Sequence, residues 1–191
     1  MSPSPFVRFV RFVRFVRYAL TGMLALAACS TPDATATVTL TLPAQEGFPY
    51  VAELMVAKCG TLDCHGSVAR NLQVYGDLGL RYATSDQPCV PAATTSDEVG
   101  EDYESLALLE PEEMSTVVTN HGQNPQQLSM IAKPLGLESH MGGTVFAMGD
   151  DTYTCLTSWL ASQTNTAACL DAMPTQICGL PPEDAFDAGG P

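Results

Sequence analysis

Apolar positions along the chain change their spacing several times, and each change predicts a different kind of segment. Residues 18–28 form one nearly continuous apolar run, too short for a mature bilayer-spanning helix, which needs about 20 residues. Residues 30–46 are rich in Thr, Ala and Pro without a helical period and read as a flexible tether. In PYVAELMVAK, Val51, Leu54 and Met55 recur at helical spacing and Pro49 suits a first turn, so a short amphipathic helix is expected over 49–58. After His65, Leu72, Val74, Leu78 and Leu80 alternate with polar residues and glycines, which predicts irregular chain with short extended pieces. Residues 84–127 carry Pro88, Pro91, Pro111 and Pro125, with eight acids between Asp97 and Glu113. That stretch reads as an acidic insertion over the domain surface, with a turn or two of helix in 101–109 and in 112–120. Leu128, Met130 and Ile131 predict a further helical piece that stops before Lys133 and Pro134, and 134–149 reads as glycine-rich loop. Asp150 or Asp151 can cap a final helix to about Ser162, whose Tyr153, Leu156, Trp159 and Leu160 form one apolar face. The tail at 179–191 is expected to be disordered. The pattern amounts to a mainly α domain over 47–178 with long loops.

Composition adds limits on function. A chain of 191 residues has room for one ordinary domain. Four of its eight basic residues, Arg8, Arg11, Arg14 and Arg17, precede the first acid at Asp33; from Cys29 onward four basic and 21 acidic residues leave a net charge of −17. Such a surface repels nucleic acid and anionic headgroups and suits a basic protein partner. The basic stretch, the apolar run and the small residues before Cys29 are the three parts of an export signal over 1–28. Leu26, Ala27, Ala28 and Cys29 resemble the bacterial lipobox, which implies lipidation of Cys29 and a membrane anchor. Ser30 resembles the choice that sorts lipoproteins to the outer membrane, facing the periplasm. A plain secretory signal is the competing reading. The triplet Phe-Val-Arg, present four times from Phe6 to Arg17, carries no function in this reading.

Beyond Cys29 six cysteines remain, an even number that in an exported chain points to disulfides. Cys64, however, is followed directly by His65, the adjacency by which a c-type haem is held: two thioethers, with the next histidine on the iron. Four residues separate Cys59 from Cys64 where two are usual, and Gly60 helps the extra chain bulge outward. A plain Cys59–Cys64 disulfide remains open beside haem, and zinc would need a further ligand from His121, His140 or Cys89. The other cysteines, Cys89, Cys155, Cys169 and Cys178, allow three pairings. We expect Cys89 with Cys155, clipping the acidic segment to the final helix, and Cys169 with Cys178, closing a short loop.

Two blocks, Cys64-His65-Gly66 followed by NLQVYGDLGLR, and LSMIAKPLGLESHMGGTVF followed by DDTYTCLTSWLAS, resemble the planctomycete-type cytochrome c domains. The corresponding positions are Lys133 and Pro134, His140, Gly142 and Gly143, then Tyr153, Leu156 and Trp159, over roughly residues 48–162. The resemblance implies a small cytochrome c-like helical fold with one covalent haem c. His65 is then the proximal ligand. His140 is the first choice for the distal one, Met141 the second, with Met148 and His121 behind them. The function expected is an electron carrier rather than a catalyst. Ser139 beside His140 is a poor nucleophile–base pair because adjacent residues rarely aim at each other. Peroxide reduction would need an acid–base residue that does not stand out. The alternative class is a haem-free, disulfide-stapled envelope lipoprotein that binds another protein.

Overall fold

A computed structural model describes residues 37–82 and 93–173. The chain divides into an N-terminal unit, 1–39, of which residues 37–39 are described and carry no regular structure, and a second unit from Leu40 on. The second unit is built from α1 (Phe48–Cys59), α2 (Ser96–Ala107), α3 (Pro111–Thr119), α4 (Ser129–Ala132), α5 (Asp151–Leu160) and α6 (Thr166–Ala172). A 3-10 turn, Pro125–Gln127, precedes α4. Among the described residues the only β pairing is an isolated bridge between Tyr75 and Leu80, so the expected mainly α class is what the structure has.

Helix α1 is the centre of the core. Tyr50, Val51, Ala52 and Leu54 are completely buried, and Pro49 sits in the first turn, where its missing N–H is not needed. The helix packs against α2, α5 and α6. Phe48 meets the edge of Tyr103 at 5.2 Å and lies 5.1 Å from Trp159, an arrangement favoured by the ring quadrupoles. The polar ends of those large side chains are satisfied by the chain that leads into α1. Tyr103 donates its hydroxyl to the Pro43 carbonyl (2.6 Å), and Trp159 Nε1 donates to that of Ala44 (2.9 Å).

Two expectations change here. The segment expected as a surface insertion supplies α2 and α3, whose Tyr103, Leu106, Ala107, Met114, Val117 and Val118 belong to the core. Its acids are not all solvated: Glu98 and Asp102 are buried because they bond backbone N–H groups of neighbouring segments. The helix over Asp151–Leu160, capped by Asp150 as expected, is not the last. Asn165 caps α6 by accepting from the Ala168 N–H (3.1 Å).

The disulfide expectation also changes. Cys155 is bonded to Cys169, with Cα atoms 4.8 Å apart, which rules out both expected pairings, Cys89–Cys155 and Cys169–Cys178. The reason is the α5–α6 hairpin, which brings the two completely buried cysteines face to face. Cys89, Cys178 and Cys29, the expected lipidation site, lie outside the described residues, as do the expected cleavage site and the 179–191 tail. No described helix is long and apolar enough to cross a membrane.

Peptide mapping without reduction is expected to recover Cys155 linked to Cys169. Cys155→Ser should lower unfolding stability by about 3 kcal/mol, from the loop the bond closes; denaturant titration measures it.

Candidate functional site

The site begins where α1 ends. Cys59 is the last helical residue, and the next six residues wind into a turn that returns to it. The His65 N–H donates to the Cys59 carbonyl, and the Cys64 and Gly66 N–H groups both donate to Thr61, each at 2.9 Å. Arg70 braces this turn from outside, donating from Nε to the Cys64 carbonyl and from Nη2 to that of Asp63, both at 2.9 Å. A second loop packs its backbone against the turn. A Cβ placed on Gly66 would stand 2.8 Å from Gly79 Cα and would strike the Gly60 carbonyl, so three glycines meet where no side chain fits.

His65 is oriented by residues 72–75. Its Nδ1 donates to the Leu72 carbonyl (3.0 Å), and its own carbonyl accepts from the Val74 N–H (2.9 Å). The same four residues bond α2 with alternate N–H groups: Gln73 to Ser105 Oγ (2.9 Å) and Tyr75 to Asp102 Oδ1 (2.7 Å). Since a carbonyl can only accept, Nδ1 of His65 carries the proton and Nε2 holds the free lone pair. Burial holds the imidazole below the ordinary histidine range; His140, Arg70 and Lys133 act the same way, against the bond to Leu72. His65 is therefore neutral at neutral pH.

Across a cavity of about 610 Å³ stands His140. Its Nδ1 donates to the Gly143 carbonyl at 3.0 Å, leaving Nε2 free in the same way. The two ring centres are 6.2 Å apart with planes 20° from parallel. In length alone that separation is close to the about 6.3 Å spanned by two metal–nitrogen bonds of about 2.0–2.1 Å and the distance from each nitrogen to its ring centre. Cys59 and Cys64 line the same cavity as free thiols. Burial pushes the Cys59 thiol up to about 12, with the neighbouring Cys64 adding to it, so in the folded chain it stays protonated. The volume lies within the range of about 300–1,000 Å³ usual for cofactor sites.

Four residues singled out from the sequence, Cys59, Cys64, His65 and His140, thus share one cavity. Met141 also borders it but is 94 % exposed. Met148 and His121 are not on its wall: Met148 is exposed, and His121 takes a left-handed conformation after α3. Among the described residues no group of three or more His, Cys, Asp and Glu side chains is arranged to hold a metal ion. Sequence reasoning missed Met55, one helical turn before Cys59, and Met130, both on the cavity wall. It also missed Arg70, and named Lys133 only as part of a Lys-Pro motif; these two of the four cations beyond Cys29 line the same space. The chain matches no protein-family model, no curated protein and no solved structure.

Gly66→Ala should destabilise the protein by about 1–3 kcal/mol, because the loop around Gly79 must move away from the cysteine turn. Gly100→Ala is the contrast: a Cβ in that part of α2 meets nothing within 4 Å, so stability should rise by about 0.5–1 kcal/mol. Urea titration of both variants checks the difference.

Proposed function

We propose that this chain is a c-type haem-binding electron-transfer protein of the bacterial cell envelope, anchored by lipid at Cys29. The observation that carries the reading is the pair His65 and His140, each with Nδ1 tied to a backbone carbonyl, set across a cavity that Cys59 and Cys64 also line. Cys59 and Cys64 would hold the cofactor through thioethers, and His65 and His140 would hold its iron. When bound, the haem supplies reversible one-electron exchange.

The protein's own part is to fix the two imidazoles, to shelter one wall with Met55 and Met130, and to place Arg70 and Lys133 near a cofactor that carries carboxylates. The resemblance to planctomycete-type cytochrome c domains supports the same class. The charge of −17 beyond the leader suits a basic redox protein as partner at the outer membrane, on its periplasmic side.

Expression in a host that matures c-type cytochromes should give a Soret band and a pyridine haemochrome equivalent to one haem per chain. Replacing either Cys59 or Cys64 should prevent fully covalent attachment, and His65→Ala should abolish the low-spin spectrum. His140→Ala should open a site for carbon monoxide on the reduced protein, while Met141→Ala leaves the spectrum unchanged. Absence of a Soret band overturns this reading in favour of a haem-free, disulfide-stapled envelope protein, for which the buried Cys155–Cys169 bond is the supporting observation.

The anchor has its own test. Cys29→Ala should yield protein without diacylglyceryl mass that leaves the membrane fraction; mass spectrometry and fractionation check it.

A further inference from the structure

Three carboxyl groups are buried where α1 and α2 meet the loop of residues 75–82. Glu98 and Asp102 of α2 are fully buried and Glu53 of α1 is 2 % exposed. Among the described residues one cation pairs with any of them, and it pairs with Glu98 alone. Arg81 pairs with Glu98 at 3.0 Å and is shared with Asp77, also at 3.0 Å. Glu98 also accepts from the Thr95 and Tyr82 N–H groups at 3.0 Å, and Glu53 accepts from the Thr94 N–H. Asp102 is the least provided for: Oδ1 accepts from the Tyr75 N–H at 2.7 Å, and Oδ2 is buried with no hydrogen-bond partner. A buried carboxylate without a counter-charge escapes its desolvation cost by keeping a proton.

We infer that Asp102 is a proton-holding positioning residue for His65, taking up a proton when the site is reduced and releasing it on oxidation. This rests on the haem reading above. The connection is the strap of residues 72–75, bonded on one edge to Asp102 and Ser105 and on the other to His65. On reduction, a one-electron donor protein delivers the electron and solvent delivers the proton, which forms the O–H bond of the Asp102 carboxylic acid; on oxidation a one-electron acceptor protein takes the electron, that O–H bond breaks and the proton passes to solvent. A carboxylate at Asp102 favours the more positive, oxidised site, so the potential falls as Asp102 ionises.

The groups facing Asp102 agree with this role. Burial, then the charges of Glu98, Glu53 and Glu101, push its carboxyl up to about 8 against the opposing Tyr75 N–H bond, so the proton exchanges near neutral pH. Arg81 is engaged by Glu98 and Asp77 and is not bonded to Asp102. An acid whose folded value is raised lends stability that is complete below its unfolded value of about 3.9 and lost as pH rises through the folded one.

Asp102→Asn keeps an acceptor for the Tyr75 N–H and removes the proton. With the full chain, the wild-type unfolding temperature should fall between about pH 5 and pH 8, and in Asp102→Asn that fall should shrink, leaving the variant about 4 °C or more above wild type at pH 8. The midpoint potential of the haem-loaded wild type should fall with rising pH across the same range, and that of Asp102→Asn should be flat. Unchanged slopes in both measurements overturn the proposal. Loss of the stability slope with an unchanged potential slope overturns the coupling. The stability arm needs no haem, so a chain that fails to bind haem yet loses its stability slope in Asp102→Asn refutes the functional reading while the held proton stands. Should Asp102→Asn not fold, wild-type and Glu53→Gln protein should both show a carboxylic acid C=O infrared band at pH 6 that disappears above pH 8; its absence overturns the proposal.

Discussion

Four residues, 72–75, connect the cysteine–histidine turn to α2. Alternate residues of this segment bond opposite neighbours. Leu72 and Val74 bond His65, while Gln73 and Tyr75 bond Ser105 and Asp102, which stand three residues apart on one face of α2. The orientation of His65 therefore depends on α2, a helix from the acidic stretch. Removing Ser105 or Asp102 leaves a backbone donor without its partner, and the cost falls on the strap that aims the imidazole.

That dependence explains which parts were legible in the sequence. Helix α1 was, because Pro49 and the spacing of Val51, Leu54 and Met55 agree on its start and its face. In the acidic stretch the helical turns expected over 101–109 and 112–120 are present in α2 and α3, but their burial was missed because acids were taken as solvated. The signals for the longer α2 were there: Thr95 and Glu98 form a capping box, and Tyr103, Leu106 and Ala107 recur at helical spacing. The Asn165 cap of α6 was readable in the same way. The Cys155–Cys169 pairing was not, since it follows from how α5 packs on α6, and neither the three-glycine contact nor the strap follows from local pattern. Both join backbone segments that are distant in sequence and carry no side-chain signature.

The four cations beyond Cys29 mark where negative charge must be met. Arg81 lies among buried acids, Arg70 and Lys133 line the cavity, and Lys58 sits in the last turn of α1, where the helix dipole favours it. Two of the four cations beyond Cys29 thus line one cavity, where they offset the negative charge of the surrounding chain.

Four residues separate Cys59 from Cys64, two more than in the haem signature expected from the sequence, and the structure winds them into a turn. The sulfur positions depend on where the chain returns, not on how many residues it takes to do so. Gly60, whose N–H bonds Val56 as the helix ends, lets the chain leave α1 without a clash, since a Cβ there would meet Val56 Cα and its carbonyl at 2.8 Å. Thr61 then accepts two N–H groups and winds in the extra residues. Leu62 is exposed at the outside of the turn, and His65 bonds back to Cys59. The chain between the two cysteines thus bulges outward, and Cys59, Cys64 and His65 line the same cavity as His140.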